Sequence, residues 1–469
     1  MTTLLPAVQF NRELLNKYDQ ALPRYTSYPP ATELSVNFGT CDYNQAIATL
    51  NQRSSPLSLY VHIPFCQSAC YFCGCNVIVS NHQNIASSYL EYLIKEIQQT
   101  SAQLDSCKPV VQMHWGGGTP NYLSIEQVEQ LWTAIHRHFK FAPNAEISIE
   151  INPRYVDQPY IQALREIGFN RISFGIQDFN SQVQAAVNRI QPEELLFNVM
   201  GWVRQAQFDS VNVDLIYGLP YQTLQTFEET IQKTIDLNPN RIAIFNFAYI
   251  PWIKPVQKNI PEHALPSPQE KLEILQMAIA NLTRNEYFYI GMDHFAKPDD
   301  ELAIAQNNGT LKRNFQGYTT QPDTELLGFG LTSISMLHDA YFQNHKRLRD
   351  YYQAIDQQRP PVERGIHLHR DDIIRREIIM QLMCHFGLSK PEFETKYHLD
   401  FDTYFAPELI NLQTLAADGL VRLFSRRIEV TPTGRLLIRN IAAVFDAYLR
   451  DRVASPAENP TIANFSRAI

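Results

Sequence analysis

A chain of 469 residues, 45% apolar and 11% aromatic, is long enough to bury one large core and at least one smaller unit. Its formal charge of −8 argues against generic binding to nucleic acid or to anionic lipid, both of which reward an excess of Lys and Arg. No run approaches the roughly 18 apolar residues of a membrane span, and the opening MTTLLPAVQFNRELL lacks a secretory signal, so a cytoplasmic address is expected.

The first 56 residues are rich in Pro, Tyr and Ser (PRYTSYPPATEL) and follow no clear period, which suggests an ordered N-terminal extension or lid over residues 1–56. From about residue 57 to 291, short β-branched or aromatic runs alternate with longer stretches of helical period. The strand-like runs are LSLYVHI (57–63), VVQMHW (110–115), EISIEI (146–151), RISFGI (171–176), SVNVDLIY (210–217), RIAIFNF (241–247) and YFYIGM (287–292). Between them lie amphipathic stretches such as SIEQVEQLWTAIHRHF and TFEETIQKTIDL, the latter opening after a Gly-Leu-Pro turn. Such alternation predicts an α/β fold with a parallel sheet, long enough for a full or partial barrel, over 57–356. The Pro-bearing QQRPPVERG (357–365) reads as a boundary, and beyond it residues 357–469 read as a mainly helical C-terminal domain with a short strand pair near LVRLFSRRIEVTPTG. No coiled-coil seam stands out, so a monomer is expected.

Of seven cysteines, Cys66, Cys70, Cys73 and Cys75 crowd into ten residues, whereas Cys41, Cys107 and Cys384 are isolated. In a reducing compartment the group reads as metal binding and the rest as ordinary thiols. The spacing Cys-x3-Cys-x2-Cys lies on the loop leaving the first strand. Three thiolates on one tight loop hold three irons of a [4Fe–4S] cube and leave the fourth iron open. The amino and carboxylate groups of S-adenosylmethionine chelate such an iron, and Phe72 beside the third cysteine offers a surface for adenine. A structural zinc site is the alternative, but zinc favours paired C-x2-C or Cys/His sets, and no second pair exists.

Three glycines in HWGGGTP (114–120) let backbone groups approach a ligand directly. In barrel-like α/β folds the active site lies at the C-terminal ends of the strands. There Glu150 ends the third strand, Gln177 follows the fourth, Asp214 sits near the end of the fifth, and Ala248 and Tyr249 follow the sixth. For any one of them a structural hydrogen bond is the commoner role; together with the cysteine loop they favour a shared ligand pocket. Arg189 reads in isolation as an exposed helix charge, His62 as facing either cluster or core, and His367 with His369 as surface residues rather than metal ligands.

YVHIPFCQSACYFCGCN, HWGGGTPNYL, SFGIQDFNSQVQAAVNRIQ, VNVDLIYGLPYQT, RIAIFNFAY and NFQGYTTQPDTELLGFGLTSIS together resemble the oxygen-independent coproporphyrinogen III oxidases, across nearly the whole chain. The cysteine motif specifies the radical S-adenosylmethionine superfamily; the CGCN continuation, NFQGYTTQ and the N-terminal extension specify the member and set it apart from related haem chaperones. The resemblance implies a partial (βα)6 barrel, one [4Fe–4S] cluster on Cys66, Cys70 and Cys73, and two molecules of S-adenosylmethionine. The first would touch Tyr60, Phe72, Gly117, Glu150 and Ile334; the second Gly118, Thr119, Gln177, Arg189, Asp214 and Ala248. It implies coproporphyrinogen III as substrate, with an electron donor and an acceptor as partners. Arg24 and Arg313 are candidates for the substrate carboxylates, because Arg binds carboxylates in bidentate fashion.

Overall fold

The computed structural model describes residues 8–82, 84–321 and 323–454; the outer ends of the expected extension (1–7) and C-terminal domain (455–469) lie outside the described residues. The chain divides into two compact units, neither contiguous in sequence: 34–285 with 323–367, and 1–33 with 286–322 and 368–469.

The larger unit is the α/β body. Its strands are β1 (Leu57–Ile63), β2 (Pro109–Gly117), β3 (Lys140–Ile151), β4 (Arg171–Gln177), β5 (Ser210–Tyr217), β6 (Arg241–Asn246), β7 (Glu325–Phe329), β8 (Ile334–Met336), β9 (Ala340–Asn344) and β10 (Val362–His367). They lie in the order β10-β9-β8-β7-β1-β2-β3-β4-β5-β6. The run from β7 to β6 is parallel throughout, and β8, β9 and β10 continue it antiparallel. The six strands β1 to β6 are therefore a partial barrel, with β7 on the free edge of β1. Alternation alone missed β7. The strand expected over 287–292 is Phe288–Gly291, which pairs antiparallel with His294–Ala296 and groups with the other unit.

The longer helices of this unit are α1 (Thr40–Gln52), α2 (Asn84–Ser101), α3 (Ile125–His138), α4 (Gln158–Ile167), α5 (Glu193–Gln205), α6 (Leu224–Leu237) and α7 (Pro268–Arg284). Four of them, α3, α4, α6 and α7, begin where a short polar side chain satisfies free backbone N–H groups. Ser124 and Gln127 form a reciprocal capping box on α3, Thr223 and Thr226 do the same on α6 after the Gly-Leu-Pro turn, and Asp157 caps α4. Leu57, Leu59, Val61 and Ile63 on one face of β1 are buried, and so are Ser58 and His62 on the other, as a strand covered on both faces requires. Glu96 locks α2 to the sheet: its buried carboxylate accepts from Gly330 N (2.8 Å), Asn344 Nδ2 (2.6 Å) and Tyr351 OH (2.5 Å).

In the second unit, Arg370–His385 and Ala406–Ala417 are its longest helices, and the expected strand pair, Val421–Leu423 with Arg427–Val430, forms a small sheet with Gly387–Ser389. The N-terminal segment is anchored here. Tyr25 and Tyr28 are buried, Tyr25 OH donates to Asp446 Oδ2 (2.9 Å), and Tyr28 OH accepts from Ala447 N (3.1 Å). The segment expected to be one extension over 1–56 thus divides, with its first part on the helical unit and α1 in the α/β body. Val362–His367, which overlaps the stretch that reads as a boundary, is the edge strand β10. His367 bonds Asp42 there, and His369 precedes the helix at Arg370 as its N-cap.

Candidate active site

A cavity of about 640 Å³ opens at the C-terminal ends of β2 to β6. Its wall includes Cys66, Cys70, Phe72, Cys73 and Cys75 of the loop after β1, and Gly117, Gly118 and Thr119 after β2. Glu150, Gln177, Arg189 and Asp214 complete the polar side. Eleven of the fourteen residues expected to hold the cluster and its cofactors thus share one pocket. Tyr60, Ile334 and Ala248 fall outside its wall: Tyr60 is half-buried on β1, Ile334 opens β8, and Ala248 is exposed after β6.

The cysteine loop is tied down on several sides. Cys66 Sγ lies 3.3 Å from Thr119 Oγ1, and burial pushes its thiol up to about 11. A hydrogen bond from the Cys75 thiol holds Cys73 down to about 6, and the same bond, with burial, pushes Cys75 well up. Cys70 Sγ accepts from two guanidiniums, Arg189 Nη1 at 3.5 Å and Arg154 Nη2 at 3.6 Å. Lys254 Nζ reaches the carbonyl of Cys75 at 3.1 Å. Among the described residues no three His, Cys, Asp or Glu side chains gather on a single ion; a cube does not ask for that, because each thiolate takes a different iron. Cys41 and Cys107 are exposed free thiols and Cys384 a buried one.

Two glycines are required by what sits against them. Gly117 has φ of +112°, and a Cβ there would lie 2.6 Å from the His62 imidazole. A Cβ on Gly175 would lie 2.0 Å from Gln177 Nε2 and 3.1 Å from Arg189 Nη2. The absence of side chains therefore leaves room for the His62 imidazole against Gly117 and for Gln177 and Arg189 at the pocket wall. His62 is buried, and its Nδ1 lies 3.1 Å from Tyr60 OH.

The carboxylates differ in state. Burial pushes Asp214 up to about 7, with the charge of Glu150 adding to it, while Asn212 Nδ2 donates to its Oδ1 at 2.9 Å. Burial also acts to raise Glu150, but His114, through a hydrogen bond of 3.2 Å and its charge, and Gly117 N–H outweigh it, so Glu150 lies below its ordinary value. Glu150 is nevertheless open to the pocket, with 46% of its side chain accessible. His114 is fixed by Ser148 Oγ at 2.6 Å and stacks on Tyr60 at 5.9 Å between centroids. Arg189 is buried rather than an exposed helix charge, because Gly175 O accepts from its Nη2 at 2.9 Å while Nε has no partner. Gln177 ends β4 with φ of +69°, and its buried Oε1 is also unpartnered. Unpaired buried polar atoms are costly, and both belong to residues lining the pocket, where a polar ligand would satisfy them.

His114, Arg154, Asn212 and Lys254 were not singled out in the sequence. His114 precedes the glycine run and Arg154 follows Glu150 by four residues, so strand-end position was the available signal. Arg24 pairs with Asp293, and Arg313 Nε donates to Tyr25 O at 3.3 Å; both belong to the helical unit.

A family model described as the radical SAM superfamily matches residues 60–234, and one described as the HemN C-terminal domain matches 368–437. A protein of Synechocystis sp. named oxygen-independent coproporphyrinogen III oxidase is 62% identical over 456 residues, covering 96% of this chain and 98% of that protein. One of the same name from Escherichia coli is 50% identical over 445 residues, covering 95% and 97%. A solved structure described as "Coproporphyrinogen III oxidase (HemN) from Escherichia coli is a Radical SAM enzyme" superimposes with a TM-score of 0.91 at 48% identity, covering 94% of this chain and all of that one.

Proposed function

The chain belongs to the oxygen-independent coproporphyrinogen III oxidase family, and we propose that it converts two propionates of coproporphyrinogen III, on rings A and B, to vinyl groups, giving protoporphyrinogen IX. The observation that carries this reading is the cysteine loop: Cys66, Cys70 and Cys73 line one cavity with Glu150, Gln177, Arg189 and Asp214, and two guanidiniums converge on one of its sulfurs.

Cys66, Cys70 and Cys73 are the residues to hold a [4Fe–4S] cluster, and Cys75 is left off it because a fourth thiolate would occupy the iron that S-adenosylmethionine has to chelate. When bound, the cluster and S-adenosylmethionine would together supply the one-electron radical chemistry by which a propionate is oxidatively decarboxylated to a vinyl group, the surplus electron passing to the separate acceptor. The protein binds, orients and excludes water. Glu150, kept ionised beside His114, is suited to a cofactor ammonium; Gly117 leaves the backbone bare for close approach; Phe72 supplies an apolar wall. Tyr60, stacked on His114 next to Glu150, and Ile334 stand outside the cavity wall and are assigned to the first cofactor site on the family resemblance. A second S-adenosylmethionine is assigned to Gly118, Thr119, Gln177, Arg189, Asp214 and Ala248. The unpartnered Gln177 Oε1 and Arg189 Nε support that assignment, since they match hydroxyl, ammonium and carboxylate groups.

A monomer in the cytoplasm, served by a separate electron donor and acceptor, is the accompanying reading; among the described residues no helix is long and apolar enough to cross a membrane. The test is anaerobic reconstitution followed by assay of iron, 5′-deoxyadenosine and protoporphyrinogen. The expected result is about four irons per chain and decarboxylated product. Haem transfer with no coproporphyrinogen turnover would replace this reading with that of a chaperone.

A further inference from the structure

Arg154 is a cation whose hydrogen-bond partners include no carboxylate. Its Nε donates to Asn152 Oδ1 at 3.2 Å, Nη1 to Asn188 O at 3.5 Å, and Nη2 to Ser68 Oγ at 3.2 Å and Cys70 Sγ at 3.6 Å. Its guanidinium also lies over the Tyr155 ring at 5.1 Å. A half-buried guanidinium without a counter-charge is unfavourable, and the one partner here able to carry a negative charge is the sulfur of Cys70.

The placement is built. Arg154 sits in the one-turn helix Pro153–Tyr155 that follows β3, where Asn152 Oδ1 accepts from its backbone N–H as well as from its side chain. Buried Asn121 clamps that turn, donating to Asn152 O and Tyr155 O, both at 3.1 Å, and accepting from Asn152 N at 2.8 Å. Tyr155 OH meets Ser68 Oγ at 3.0 Å, which ties the turn to the residue two before Cys70. Arg189 reaches the same sulfur from beyond β4 and also lines the pocket, whereas Arg154 does not line it.

We propose that Arg154 is a positioning residue for the iron–sulfur cluster, holding the Cys70 thiolate by a charge-assisted hydrogen bond and raising the cluster's reduction potential. The inference rests on the ligand assignment given above. Reduction adds a negative charge to the cluster, so a nearby cation and an N–H aimed at a ligand sulfur favour the reduced form. Without them a low-potential one-electron carrier reduces a smaller share of the protein.

The test compares wild type, R154K and R154Q as full-length, anaerobically reconstituted protein, reading iron per chain and the midpoint potential followed by the spectrum of the reduced cluster. Iron is expected unchanged and the potential to fall in the order wild type, R154K, R154Q. For R154Q the reduced-to-oxidised ratio at a fixed donor potential drops about tenfold, equivalent to about 59 mV for one electron. A wild-type potential in R154Q overturns the proposal. Should apo-R154Q melt well below wild type, R154K decides alone. Lysine keeps the charge but loses the planar fork that reaches both Ser68 and Cys70, so a wild-type potential in R154K also overturns it. Failure of the wild type itself to take up iron would sink the ligand assignment instead, which separates the two failures.

Discussion

Replacing Asp214 with Ala is the cleanest probe of the second cofactor position, because Asp214 reaches the pocket without touching a cysteine. Arg189 is less suitable: its guanidinium also donates to Cys70 Sγ, so its loss perturbs cluster and cofactor together. A hydrogen bond to a charged group is worth about 1.5–3 kcal/mol, and at about 1.4 kcal/mol per decade the second molecule should bind about 10- to 150-fold more weakly. Asp214→Ala also removes a buried carboxylate that burial and the charge of Glu150 hold up to about 7, so the apoprotein should not lose stability at neutral pH. Equilibrium binding of S-adenosylmethionine to the reconstituted variant should fall from two molecules per chain towards one, with the cluster spectrum intact and decarboxylation strongly reduced. The pH dependence carries a sign. Below pH about 7 the Asp214 carboxyl is protonated and must give up its proton to accept hydrogen bonds as a carboxylate, so second-site affinity rises as pH passes through about 7 in the wild type and this rise is missing in the variant. Two molecules bound at wild-type affinity, with normal product, would refute the assignment.

Replacing Cys66, Cys70 or Cys73 with Ser should abolish both iron uptake and turnover, whereas Cys75→Ser should assemble a normal cluster, as iron analysis and the visible spectrum would report; an iron-free Cys75→Ser protein would make Cys75 a ligand. Gly175→Ala places a methyl group on the Gln177 amide, the end of a flexible side chain, so it should weaken the second cofactor more than it lowers the melting temperature. Glu96→Gln sets an amide NH2 where three donors converge and should cost about 1–3 kcal/mol of apoprotein stability, measured by denaturant unfolding. Burial pushes Glu96 up to about 7 from an ordinary 4.5, so its stabilising contribution is complete below about 4.5 and lost as pH rises through about 7; the variant should lack that slope.

Residues 66–73 and the strand ends made the chemistry legible, because ligand spacing along one loop is a local property and a parallel α/β body puts successive strand ends on one rim. Thus Glu150, Gln177 and Asp214 were found from position, and all three line the pocket. Arg189 shows the limit. As a lone charge in AAVNRIQ it reads as solvated, and it is buried because the bare Gly175 lets its guanidinium reach a strand carbonyl and a cysteine sulfur. Arg154 has only its place after a strand end as a local signal, because its partners come from three separate segments.

The α/β class, the positions of β1 to β6, the cysteine loop and the rim of polar residues are all legible in the sequence, because periodicity and spacing are written within a few residues of one another. Only the folded chain brings Glu325–Phe329 beside β1, groups residues 8–33 with the C-terminal helices, and sets Glu150 and Asp214 apart in protonation. These depend on contacts between segments hundreds of residues apart, and on burial and neighbouring charge, which exist only once the chain has folded.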